Sequence, residues 1–412
     1  MANTLLTSSI IMKEALMILE NDLTFTKNVN REYDSKFGVS GAKIGATINA
    51  RKPPRYVGRT GQALQVEGAT ENYVPITLDT QFGVDISFSS TDLTLHIDEF
   101  SDRFLKPAMA TIANKVDYDG LGLYKDVFRY INANSAAGTL TGGSVTAAQA
   151  QAQILGAGAI LTESGVPKDG QRGLVMSPNS TASAITPLLA QFNNAQKISQ
   201  MFGEATVASR TLGFDWAEDA NVQAFTPSAT GGIAGGTSTG TLTATGATTM
   251  AVASVTAGTV PRGTVFSIAG VYAINPQSRQ STGRLMQFVV TADTVVTTTG
   301  TIPFYPAYIP SGQFATCTGS AAGGSSITLH TGASGAGPYD QNLAYHKDAF
   351  TLACADLLLP GGVDMAERAN HKGIAMRMVR QYDINSDMFP VRFDVLYGWK
   401  TVYPELAVRV GG

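Results

Sequence analysis

TPSATGGIAGGTSTGTLTATGATT, Thr226 to Thr249, opens a run of 113 residues ending at Pro338 in which only Arg262, Arg279, Arg284 and Asp293 are charged. The rest of the run is Thr, Gly, Ala, Ser and Val. Structureless loops rarely exceed about 15 residues, and this composition is rich in β-formers. The run therefore reads as a small all-β domain set into a host domain that resumes at Tyr339. Its predicted strands are Thr241–Thr245, Thr264–Ala273, Gln287–Ala292, Thr294–Thr297, Thr301–Tyr305 and Ile327–His330, separated by glycines and prolines at barrel-like spacing.

Working outward, the flanks carry mixed helix and strand patterns, which makes the chain α+β. Downstream, Ala349–Leu358, Gly373–Tyr382, Pro390–Tyr397 and Glu405–Val410 alternate in polarity, so the host ends in a β-rich stretch. Upstream, Ser144 to Ser164 is an Ala-rich helix closed by Gly165 and Pro167. Gly173 to Ser177 follows as a buried strand, and Asn179 or Ser180 caps a helix reaching Phe192.

A long helix over Ser101 to Asn132 is predicted by Phe104, Ala108, Ile112 and Val116, continuing through Tyr124 and Phe128. Gly120 and Gly122 predict a bend or break in it. Before it, Val74, Ile76, Leu78, Phe82, Val84, Ile86 and Phe88 all fall on even positions, the mark of strand with one apolar face. Arg51 to Thr70, with Pro53, Pro54, Gly58, Gly61 and Gly68, is the tip of a long hairpin. Ser8 to Asp22 forms an amphipathic arm through Ile11, Ala15, Ile18 and Leu19.

Charge along the hairpin is segregated. Lys27 to Arg59 holds eight basic and two acidic residues, a balance of +6, and Glu67 to Asp102 holds eight acids and no Lys or Arg, a balance of −8. An extended basic arm followed by an acidic stretch can make a head-to-tail contact between identical copies. Two solvated faces are the other reading.

Composition narrows the function. The 412 residues allow two or three domains. Charged residues are 15% of the chain against a usual value of about 25%, which suits a surface largely covered by neighbours. A net charge of −3 with no basic domain argues against sequence-specific nucleic-acid binding. Cys317 and Cys354 form no CxxC and read as buried thiols. No signal pattern and no apolar run of about 18 residues is present, so a cytoplasmic, non-membrane protein is expected.

Chemistry-bearing motifs are weak. Gly236-Thr-Ser238-Thr-Gly240 matches a nucleophile elbow, which needs a strand before it and a helix after it. Gly38 to Lys43 lacks the Gly-Lys-Ser/Thr order of a phosphate loop. His96, His330, His346 and His371 have no ligand companion at metal-site spacing beyond Glu367 beside His371. Asp215, Glu218 and Asp219 read as a solvated loop rather than a glycosidase acid pair. No catalytic, cofactor or metal residue is assigned.

Asn342 to Phe350, Arg262 to Pro276, and Leu396-Tyr-Gly-Trp399 with Tyr403-Pro-Glu405 resemble the coat proteins of short-tailed phages of the P-twenty-two type. The resemblance implies an HK-ninety-seven-like capsid fold carrying an inserted β-barrel. It divides the chain into an N-terminal arm (1–38), an extended loop with peripheral strands (39–90), a spine helix with the peripheral domain (91–137), a first axial part (138–224), the inserted barrel (225–340), and a return through axial and peripheral domains (341–412). It implies a major capsid protein that assembles as pentamers and hexamers into an icosahedral head enclosing double-stranded DNA. Scaffolding, portal and decoration proteins are the implied partners, and the virion, assembled in the host cytoplasm, is the implied location.

Carried onto this chain, Arg51, Lys52, Arg55 and Arg59 form the extended-loop tip that reaches over a neighbour. Asp98, Glu99 and Asp102 lie where the spine helix begins, and the two groups are expected to attract one another between subunits. Exposed pairs contribute only about 0–1 kcal/mol each, so the charges set register while apolar burial holds. Glu14 and Glu20 on the arm are candidates for docking a scaffold. Gly231 to Gly246 has no charge, a departure from the charged insert loop of the family. The competing expectations are a Thr/Gly-rich surface or appendage protein and an enzyme with a β accessory domain.

Overall fold

The computed structural model describes residues 8–33, 47–58, 61–64, 66, 68, 71–89, 104–131, 147–191, 210–227, 233, 235–330 and 338–411. The chain forms two compact units, one of residues 1–51, 73–120 and 350–402, the other of 52–72, 121–349 and 403–412.

In the first unit, helix α1 (Ser8–Asp22) buries Met12, Ala15, Leu16 and Leu19, the spacing of one helical face. That face packs against strands Met365–His371 and Ile374–Arg380. Helix α2 (Lys106–Leu121) buries Ala108, Met109, Ile112, Ala113 and Val116 in the same core. The expected break falls at Gly122, where the helix tightens into a 3-10 turn over Gly122–Asp126.

The sheet beneath runs Asn30–Tyr33, Phe350–Ala355, Met388–Thr401, Ile374–Arg380, Met365–His371, and Thr80–Ser89 also pairs with Met388–Thr401. Val84 faces Phe393 and Ile86 faces Val391 in that register. The even-numbered apolar phase continues across a break at Leu78–Asp79, between strands Asn72–Thr77 and Thr80–Ser89. Asp394, fully buried, accepts from Arg377 Nη2 (2.5 Å) and Arg392 Nε (2.8 Å), so its charge is compensated inside the sheet.

The second unit holds two layers of different kinds. One is a sheet ordered Tyr130–Ile131, Ala407–Gly411, Tyr339–His346, Arg172–Met176, Asp215–Glu218, covered by helices α3 (Ala147–Glu163) and α4 (Pro178–Gln191). Ile154, Ala157, Leu161, Leu174, Phe214, Ala344 and Val408 form its core. Ser177, rather than Asn179 or Ser180, caps α4: its hydroxyl accepts the Ser180 N–H (3.3 Å) and donates to Asp340 Oδ2 (2.6 Å).

The other is the β-structure of the charge-poor run. Its strands pair in the order Cys317–Gly319, Val265–Ile274, Ser281–Val290, Thr299–Tyr308, Ala247–Ala253, Thr237–Ser238, with Ile327–Leu329 also on Val265–Ile274. Hydrogen bonds from Ser238 N–H to Ser325 O (3.0 Å), Ile327 N–H to Gly236 O (2.9 Å) and Leu242 N–H to Ala321 O (2.9 Å) join the first strand to the last. The sheet thereby closes, which removes its edges. Phe266, Phe288 and Phe304 stack inside, with ring centroids 5.0 to 6.3 Å apart.

Entry and exit lie side by side: Ala224 pairs with Asp340 and Phe225 with Tyr339. The expected strand Thr241–Thr245 is displaced to Ala247–Ala253, because that register buries Met250 and Val252. Ser238 sits in a short strand and donates to Ala322 O (2.8 Å), so the Gly236–Gly240 motif is not a strand-to-helix elbow.

Candidate assembly surface

Strands Thr47–Lys52 and Asn72–Thr77 pair as a two-stranded ribbon that carries the loop between them. Such a ribbon has no core of its own and gains stability only from what it touches. Gly58 (φ 75°) and Gly61 (φ 101°) take left-handed conformations that let the loop turn. Leu64 is 81% and Val66 84% exposed, and Tyr56 and Val57 are also exposed. Four large apolar side chains on a thin loop make a surface suited to burial by another protein.

The root of the loop is held by its own chain. Arg55 Nη2 lies 3.1 Å from Glu405 Oε1. Lys52 Nζ sits 4.8 Å from the Tyr403 ring centroid, and burial lowers the Lys52 pKa. Arg279 donates from Nη2 to Tyr56 O (2.9 Å) and from Nη1 to Gly312 O (3.1 Å). Gln313 Nε2 donates to both Arg55 O and Gly68 O. The extended loop is thus anchored at its base and exposed at its tip.

Of the predicted loop bases, Lys52 and Arg55 are engaged within the subunit, Arg51 is exposed, and Arg59 lies outside the described residues. Asp98, Glu99 and Asp102 also lie outside them. Glu20 corrects an expectation. It is 4% exposed and bonded to Arg31 (Nη1 to Oε2 2.5 Å) and Lys372 (Nζ to Oε1 3.4 Å), so its carboxylate locks α1 to its own sheet instead of facing a partner. Burial opposes its ionisation, but Arg31 and Lys372 outweigh that and hold its pKa below the usual value. Glu14 is half-buried on the same helix.

Sequence reasoning missed Glu405, Arg279 and Gln313, which grip the loop. One signal was available, the scarcity of charge in the insert. Each of its three arginines reaches beyond the barrel: Arg262 to Asp126 (2.6 Å), Arg284 to Glu163 (3.4 Å) and Arg279 to the loop.

A cleft of about 660 Å³ lies between α3 and strand Ser281–Val290, lined among others by Arg129, Glu163, Arg284 and His330. Burial lowers the His330 pKa to about 4, and its Nε2 is 3.0 Å from Ser267 Oγ. Among the described residues, no group of three or more His, Cys, Asp or Glu is placed to hold a metal ion. No helix among them is long and apolar enough to cross a membrane. Cys317 and Cys354 are buried thiols, Cys354 pushed up to about 12 by burial.

Helices packed on sheets, a closed β-barrel and a loop with an exposed apolar tip define a structural subunit with surface suited to cover by other protein. Residues 1–412 match the family model described as P22 coat protein, gene protein 5, and the chain belongs to that family. It is a major capsid subunit, a structural protein of a bacteriophage virion that self-assembles into an icosahedral shell. No curated protein matches it. Solved structures similar to it include one titled Mycobacterium phage Che8, at 13% identity and TM-score 0.45, covering 94% of this chain and 90% of that one. The capsid of cyanophage P-SCSP1u is similar at 9% identity and TM-score 0.46, covering 94% and 87%. The mature capsid of bacteriophage PhiM1 is similar at 14% identity and TM-score 0.43, covering 94% and 86%. The mixed α+β architecture accords with the HK-ninety-seven-like capsid fold expected from the sequence.

Proposed function

We propose that this subunit closes rings of five and six through its extended loop, which lays its apolar tip over a neighbouring copy, and that the resulting head encloses double-stranded DNA without reading its sequence. The exposure of Leu64 and Val66 at the loop tip carries this reading. Apolar burial near 25 cal/mol per Å² supplies the hold, and many weak contacts sum to a stable shell.

The loop bases pair with Asp98, Glu99 and Asp102 of the neighbour to set register. The bases concerned are Arg51, Lys52, Arg55 and Arg59, of which Lys52 and Arg55 also brace the root of the loop. A charge reversal of Arg51 and Arg59 that left assembly normal would remove this part of the reading. Residues 225–340 form an inserted domain, a division supported by the adjoining entry and exit strands and by a barrel core built almost wholly from the insert, with Phe128 and Tyr130 joining it from outside. The subunit catalyses nothing. Its further partners are a scaffolding protein, a portal and a decoration protein, and it assembles in the host cytoplasm.

Negative-stain microscopy of the expressed protein, with and without a co-expressed scaffold, tests the proposal. Uniform hollow particles are expected. A stable monomer under both conditions would overturn it.

A further inference from the structure

We infer that the barrel acts as a positioning device for the extended loop, with Arg279 and Gln313 setting the direction in which the loop leaves the subunit for capture by the next copy. The inference rests on the assembly reading above.

The gripping elements are two turns of the barrel. In the first, Asn275 Oδ1 accepts the N–H groups of Gln277 (2.8 Å) and Ser278 (3.1 Å), and Asn275 O accepts that of Arg279 (2.7 Å). This closure places Arg279 at φ 57°, a left-handed conformation that non-glycine residues seldom adopt. From there its guanidinium spans two targets, Tyr56 O on the loop and Gly312 O on the second turn. The planar fork of arginine suits such a bridge better than the point charge of lysine.

The second turn contributes Gln313, whose amide nitrogen meets Arg55 O on the outgoing leg and Gly68 O on the returning leg. One side chain therefore ties both legs to the same point. All three loop acceptors are backbone carbonyls, so the grip reads where the loop runs rather than which side chains it carries.

A positional role follows from the energetics. These bonds lie at or near the surface, where each changes an equilibrium by a factor of only about 2–10, and the barrel core does not depend on them. Their effect falls on the loop, whose ordering would otherwise have to occur during capture and slow it.

The test uses the full chain carrying R279A with Q313A, beside wild type and R279K. Trypsin cleavage at the Arg55–Tyr56 bond in unassembled subunits measures release of the root. Light scattering measures the initial rate of shell formation, and hydrogen exchange of strand Val265–Ile274 reports the barrel. The double variant is expected to be cleaved at least about tenfold faster and to assemble about tenfold more slowly, with barrel exchange unchanged. R279K, whose single nitrogen cannot span both carbonyls as the guanidinium does, is expected to fall between. A double variant that assembles at the wild-type rate would overturn the inference, whether or not its loop is cleaved faster. Barrel exchange accelerated in step with cleavage would overturn it too, by showing a merely structural role. Wild-type subunits that never form shells would instead sink the assembly reading.

Discussion

Asn in place of Asp117 tests how the arm is fixed in the first unit. Asp117, on α2 and 2% exposed, accepts the N–H of Thr24 (2.7 Å) and of Phe25 (3.3 Å) at Oδ2 and the N–H of Thr26 (2.9 Å) at Oδ1, where the Thr26 hydroxyl also donates. One carboxylate thus satisfies the backbone donors where the chain leaves α1 and turns through Thr26–Asn28. An amide keeps one acceptor oxygen, which can stay with Thr26, but sets an NH2 group against the Thr24 and Phe25 donors. Two charge-assisted bonds at about 1.5–3 kcal/mol each are lost, giving an expected destabilisation of about 3–6 kcal/mol. In a unit of this size that corresponds to roughly 10 °C in Tm. Trp399 Nε1 donates to Val116 O (3.1 Å), beside Asp117, and the chain has 2 tryptophans. In a W216F background, the urea midpoint of Trp399 fluorescence therefore reads this unit alone. A loss below about 1 kcal/mol would refute the reasoning that these buried donors depend on the carboxylate.

Two further predictions concern packing and pH. A Cβ at Gly398 would lie 1.9 Å from Thr77 O and 2.8 Å from Thr77 C, both backbone atoms, whereas one at Gly68 meets nothing within 4 Å. G398A is expected to cost at least about 3 kcal/mol and G68A less than about 0.5 kcal/mol, as measured by thermal unfolding. His330, with its pKa near 4 against an ordinary 6.5, takes up a proton more readily when unfolded. Its contribution is complete above pH 6.5 and is lost as pH falls toward 4, by at most about 1.4 kcal/mol per pH unit. Hydrogen exchange of strand Val265–Ile274 should speed up between pH 7 and pH 5, after correction for intrinsic rates, more in wild type than in H330Q.

Much of the fold was legible because one-sided burial leaves a period in the sequence. The even-numbered apolar residues from Val74 to Phe88 kept their phase across two strands, and α1 occupies the predicted Ser8 to Asp22. Strand Tyr339–His346 escaped notice because its core positions include polar groups. Gln341 and Asn342 are buried, with Asn342 accepting the Ser177 N–H and donating to Ser180, and Arg409 lies against Gln341. Buried polar residues whose partners are distant erase the alternation that marks a strand. Thr-rich sequence likewise has strand character at every register, so burial of Met250 and Val252 decided where the barrel strand fell.

The site divides in the same way. The loop bases were visible as a local charge run, but Glu405 is 350 positions from Arg55 and Gln313 is 258. Pairings at that range depend on the finished topology and leave no local pattern.

The pairing of Ala224 with Asp340 and of Phe225 with Tyr339 means that the polypeptide departs and comes back within about 5 Å, the spacing of facing residues in an antiparallel pair. A gap that narrow lets a whole module sit between two strands of a sheet without prising them apart, so a brace can be carried at this point while the register of the sheet around it stays intact.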